Sequence, residues 1–143
     1  MKKYYSSIKP KKLLHIVYKK EEFKKINENN RLDIIEEKQF LQLSALKLDK
    51  NKTFKPHYHI WKPGEEKVIA QESWVVIEGK VKCSFYDLDE KLIAQPILHP
   101  GDCSITLEGG HTYTILEKNT LVFEFKTGPY KGLKFDKKFI NEN

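Results

Sequence analysis

The sequence predicts an all-β domain, a sandwich or barrel built from short strands. Two observations carry this. Short apolar stretches recur at a spacing of about eight to twelve residues, and Gly, Pro, Asn or Asp punctuates the gaps between them. Within several stretches apolar and polar residues alternate, which is the period of a strand.

The elements follow in chain order. Residues 1–30 read as a basic arm carrying one edge strand near Leu13–Tyr18, then a polar stretch, Glu21–Asn30, with one short helical turn. Residues 31–143 read as the folded domain. Arg31–Glu37 is a short strand, and Phe40–Leu48 is a longer one closed by the turn Asp49–Lys52. Thr53–Ile60 is extended and is followed by the turn Trp61-Lys62-Pro63-Gly64. Glu72–Glu78 and Lys80–Tyr86 flank Gly79 and read as an antiparallel hairpin. Asp87–Glu90 turns into Leu92–Leu98, Pro100-Gly101-Asp102 into Cys103–Leu107, Gly109-Gly110 into His111–Leu116, and Lys118-Asn119 into Leu121–Lys126. Phe135, Phe139 and Ile140 are expected to pack the tail across the barrel or against a second subunit.

Bulk properties narrow the function. A chain of 143 residues, 39% apolar and 12% aromatic, is one globular domain with enough apolar mass for a core. No stretch approaches the roughly 20 apolar residues of a membrane span, and the apolar run Leu13–Val17 is too short for a signal-peptide core. A cytoplasmic protein is expected. The net charge of +6 is concentrated at one end: residues 1–25 hold nine lysines against Glu21 and Glu22, a balance of +7, which leaves −1 for all the rest. No nucleic-acid-binding motif accompanies that charge, so specific nucleic-acid binding is not expected. Attraction of acidic or phosphorylated ligands stays open. Cys83 and Cys103 alternate with apolar residues and read as reduced core residues rather than a bridge. Ligation by Cys103 is the lesser alternative.

The chemistry gathers in four residues. His57 and His59 stand two apart, so an extended backbone aims both at one face while Tyr58 points away. Glu72 opens a row continued by Trp74 and Val76, and a carboxylate there is costly to bury without a positive partner. His111 follows a glycine turn. Imidazole and carboxylate suit a divalent transition metal, here iron, manganese, nickel or zinc. Glu65 and Glu66 lie nearer to His59 and are possible substitutes for Glu72, although solvated loop charges are the simpler reading. His99 reads as a rim residue, and His15 has no partner in view.

Paired histidines, the Glu72 to Gly79 spacing, Pro100-Gly101-Asp102 and a histidine after Gly109-Gly110 together resemble the two cupin motifs. The resemblance implies a single-domain double-stranded β-helix, the jelly roll, with His57, His59, Glu72 and His111 as metal ligands. Two departures stand out. Twelve residues, Ile60 to Gln71, separate His59 from Glu72 where the family has three or four. The second motif lacks its proline and brings the histidine one residue closer. Within the family, the run from Pro100 to Phe125-Lys126-Thr127-Gly128-Pro129-Tyr130 resembles small single-domain cupins that accompany bacterial surface-polysaccharide or sugar-nucleotide genes.

That likeness implies a small, carbohydrate-like ligand and an isomerase or epimerase. An iron-dependent dioxygenase, a ligand-binding module without catalysis and a scaffold without its metal are the rival readings. Tyr113 shares a face with His111, and Glu124 and Lys126 share one opposite Phe123 and Phe125. These three are candidate general acids or bases if that face lines the pocket. If it meets solvent, the ordinary case for an antiparallel sheet, they are not. A homodimer using the leader and the tail is expected, because an open jelly roll has edges to protect.

Overall fold

The computed structural model describes residues 1–9, 11–62, 64 and 68–140. Among the described residues thirteen strands form in chain order: β1 (Lys2–Tyr5), β2 (Leu13–Val17), β3 (Asn30–Asp33), β4 (Leu41–Leu48), β5 (His57–His59), β6 (Glu72–Glu78) and β7 (Val81–Tyr86). The rest are β8 (Leu92–Ala94), β9 (Ile97–Leu98), β10 (Cys103–Thr106), β11 (Gly110–Ile115), β12 (Thr120–Thr127) and β13 (Lys137–Phe139). Two sheets face each other. One has the order β10-β6-β12-β4-β3; the other runs β13-β5-β11-β7-β8, with β9 also on β7. Between them lies a core of Leu46, Leu48, Trp74, Val76, Val81, Cys83, Leu98, Tyr113, Ile115 and Val122. Strand alternation supplies these residues from opposite sides.

One pairing differs from the sequence expectation. β6 and β7 are not a hairpin: β6 pairs with β10 and β12, whereas β7 pairs with β11, β8 and β9. The Gly79-Lys80 link therefore carries the chain from one sheet to the other. Gly79 has φ +83°, and a Cβ there would collide with Thr120 Oγ1, so glycine serves both the turn and the close passage of β12. A two-residue link reads the same in sequence whether its strands pair or cross. Packing decides, because Trp74 and Val76 gain more by facing Val81 and Cys83 across the core.

The leader also differs. Its strand β2 pairs with β1 in a separate two-stranded ribbon and edges neither main sheet. Beyond it the short 3-10 helix Lys20–Lys25 buries Phe23, which with Ile26 packs against Ala45 and Leu121 on the outer face of the five-stranded sheet. Tyr18 and Phe123 meet Phe23 with ring centroids 5.6 and 5.1 Å away. The lysines stay outside; the apolar residues between them dock.

The cysteines divide. Cys83 is buried, and burial pushes its thiol up to about 11. Cys103 is exposed, against the expectation of a core residue. On β10 it is Ser104 and Thr106 that turn inward, because Ser104 hydrogen-bonds Tyr113 across the sandwich at 3.1 Å.

Candidate metal centre

Three strands bring the site together. β5 supplies His57 and His59 from alternate positions, with Tyr58 on the opposite side. β11 pairs with β5 and sets His111 beside His57. Glu72 comes from the start of β6 in the other sheet. All four residues are buried, and one donor atom from each lies within 4.8 Å of the others. The imidazole rings crowd together, with centroids 4.6 Å apart for His57 and His111 and 5.5 Å for His59 and His111. Glu72 reaches His59 Nε2 through Oε2 and His111 Nε2 through Oε1, each at 3.4 Å. Glu65 and Glu66 lie outside the described residues.

The remaining nitrogens explain which atoms face the centre. His57 Nδ1 donates to the Lys55 carbonyl at 3.0 Å, and His59 Nδ1 donates to the Asp136 carbonyl at 3.2 Å. Both histidines therefore turn Nε2 inward, with the second nitrogen tied to an oxygen as metal-binding histidines usually are. His59 Nε2 and both His111 nitrogens are buried without a hydrogen-bond partner. Unpaired buried nitrogens are costly, and a cation that takes the lone pairs of His59 and His111 removes the penalty. The donor set and these orphaned atoms fit a divalent transition metal.

Charge in the site follows from position. Burial, helped by His111 and Lys137, pulls His57 down to about 3, so it is neutral and carries a lone pair on Nε2. Burial also works against charge on His59, yet Asp136 and Glu72 outweigh it and hold that imidazole above its ordinary value. Glu72 would be raised by burial, but the imidazoles of His111 and His59 keep it well below the usual carboxylate range.

The polar residues around the centre face inward. Glu124 and Lys126 lie on the buried side of β12, while Phe123 and Phe125 occupy the other side. Glu124 is linked to Glu72 through Trp74, whose Nε1 sits 3.1 Å from a carboxylate oxygen of each. Burial and the charge of Glu72 push Glu124 up to about 7, against the pull of Arg31. Tyr113 is buried with its ring stacked on Trp74 at 4.0 Å, and burial and the charge of Glu72 raise its phenol well above the ordinary value. Trp74 is thus both core and a donor to two carboxylates. His99 and His15 are exposed and take no part.

Sequence reasoning missed Asp136 and Lys137. Asp136 is fully buried, takes a hydrogen bond from Lys126 Nζ at 2.7 Å, and lies 3.3 Å from His59 Nδ1 and 3.8 Å from Lys62 Nζ. Lys137 opens β13, which pairs with β5, and its ammonium donates to His57 Nε2 at 3.2 Å. Both lie on a tail too short to show alternation. Beside them opens a cavity of about 290 Å³ lined by Arg31, Asp33, Gln42, Lys126, Tyr130 and Lys137 among others.

No protein-family model matches the sequence, and no curated protein matches it. Solved structures do. KdgF from Halomonas sp. superposes with a TM-score of 0.54 at 20% identity, over 71% of this chain and 80% of that one. A Klebsiella pneumoniae protein with a double-stranded β-helix domain gives 0.55 at 14% identity, over 80% and 86%. CapF of Staphylococcus aureus, a capsular polysaccharide assembling protein, gives 0.58 at 13% identity over 79% of this chain, which spans only 32% of CapF. With these strands, this sheet order and these neighbours, the chain has the double-stranded β-helix fold of the cupins.

Proposed function

We propose that the chain is a metal-dependent isomerase or epimerase acting on a sugar or sugar nucleotide, cytoplasmic and homodimeric. The observation that carries the reading is the buried group of His57, His59, Glu72 and His111 beside a polar cavity. The structural likeness to a capsular polysaccharide assembling protein supports a carbohydrate ligand. A divalent ion bound there would supply Lewis-acid polarisation of a ligand carbonyl or hydroxyl.

The chain's own residues would do the rest. Glu124, close to half ionised near neutral pH and one indole away from Glu72, is the first candidate to hold and return a proton. Lys126 lies on the same face, its Nζ bonded to Asp136. Tyr113, with its hydroxyl engaged by Ser104, positions Trp74 and serves as the third candidate. The half-buried Phe125 and the exposed Leu41 and Ile105 border a shallow apolar hollow on the outer sheet face, which suits a second copy of the chain.

Elemental mass spectrometry of the purified protein tests the metal. About one ion per chain, lost in the His57→Ala, His59→Ala double variant, is expected. No metal in either protein after dialysis against iron, manganese, nickel and zinc would overturn the reading. Three histidines and one glutamate also suit iron in a dioxygenase. Oxygen consumption only with ferrous iron would select that chemistry, whereas solvent deuterium entering a sugar with several divalent metals selects the isomerase. Sugar binding with neither would leave a non-catalytic module.

A further inference from the structure

The ammonium of Lys137 and a metal ion need the same atom. Lys137 Nζ donates to His57 Nε2 at 3.2 Å, and His57 Nδ1 is already committed to the Lys55 carbonyl. The one free lone pair of His57 can serve the ammonium or the metal, not both. Loading the site therefore releases Lys137, and repulsion from the dication drives it away from His57.

The side chain then faces the cavity it already lines with Arg31, Lys126 and Tyr130. The other cations there have partners. Arg31 is bonded to Asp33 and Glu124, and Lys126 is bonded to Asp136. No ion pair joins Lys137 to a carboxylate among the described residues, although the residue is half-buried. Glu72, Asp136 and Glu124 attract this ammonium only from a distance; a desolvated ammonium with no carboxylate in contact is costly, and an anion entering the cavity would reduce that cost. At about 290 Å³ the cavity is at the small end of ligand pockets, suited to a single sugar rather than a nucleotide.

We infer that the metal-loaded site takes a monosaccharide-sized ligand bearing one negative group, a carboxylate or a phosphate, and that Lys137 binds this group once the metal has displaced it from His57. The inference rests on the metal reading above and narrows its ligand. Binding is ordered: metal first, anion second.

Calorimetry on cobalt-loaded protein tests it with D-galacturonate, D-galactose 6-phosphate and uncharged D-galactose. At least one charged sugar should bind about tenfold or more tighter than galactose, and the tighter of the two assigns the group. The preference should vanish in Lys137→Met, persist in Lys137→Arg and be absent from metal-free protein. Lys137→Met should bind cobalt at least as tightly as the native chain, since a competitor for His57 has gone. A purely structural role for Lys137 would instead weaken cobalt binding in that variant and would overturn the inference. So would equal binding of all three sugars to cobalt-loaded native protein, which leaves the metal reading intact. Failure of the native chain to bind cobalt would overturn the metal reading and this inference together.

Discussion

Trp74 Nε1 stands between two buried carboxylates, Glu72 and Glu124, that are close enough for the charge of one to oppose the charge of the other. The imidazoles of His111 and His59 hold Glu72 low, and burial together with the charge of Glu72 pushes Glu124 up to about 7. Because the folded value of Glu124 lies above its ordinary 4.5, its stabilisation is complete below that value and is lost as pH rises through about 7. Glu124→Gln should remove this fall. The difference between native and variant melting temperatures, measured from pH 4.5 to 8, isolates it from the opposite slope of His57. His59 has the opposite duty toward a metal. Its imidazole holds a proton more firmly than an ordinary histidine does, and an ion must displace it, whereas His57 and Glu72 give up none. Metal affinity should therefore rise with pH, with proton release visible as a dependence of calorimetric heat on the buffer used. Asp136 holds His59 in place, so Asp136→Asn should weaken metal binding by about 10- to 100-fold. Asp136→Ala, which strands Lys126 and Lys62, should cost about 3–5 kcal/mol in denaturant titration.

At the scale of elements, the 3-10 helix Lys20–Lys25 acts as an anchor, and Phe23 is its contact with the sheet. Phe23→Ala should cost about 3–5 kcal/mol, measurable by urea unfolding, because a ring that is 2% exposed leaves a cavity. The docking was not legible in the sequence, since nine lysines among the first 25 residues mask the few apolar residues that dock. The long strands were legible. β4, β6, β11 and β12 announce themselves by alternation, and the inward histidines and glutamate follow from the same parity. Which strands pair was not legible at Gly79-Lys80, because local turn chemistry carries no record of the sheet each strand joins. β13 was hidden for a different reason. Three residues, Lys137-Lys138-Phe139, put a charge toward the site and give no apolar period to read.

For the whole molecule, the leader's charge of +7 sits on a body of −1, and the leader covers only part of the outer sheet face. Leu41 and Ile105 remain 59% and 65% exposed on that face. Sedimentation equilibrium should find a dimer for the native chain and a monomer for a Leu41→Glu, Ile105→Glu variant, with metal content unchanged. The antiparallel pairing of β5 with β13 also bears on how the protein folds. The strand carrying two ligands is held on one side by residues about 80 positions further along, so closing this contact carries a large loop-entropy cost. A metal, for its part, needs donors from β5, β6 and β11 together, so it can grip the chain only after strands from both sheets have met, too late to speed the search. Ions should accordingly leave the refolding rate unchanged and slow unfolding, so that saturating zinc lengthens only the unfolding arm of a stopped-flow chevron. The metal would then act as a latch fastened after folding rather than as a seed for it.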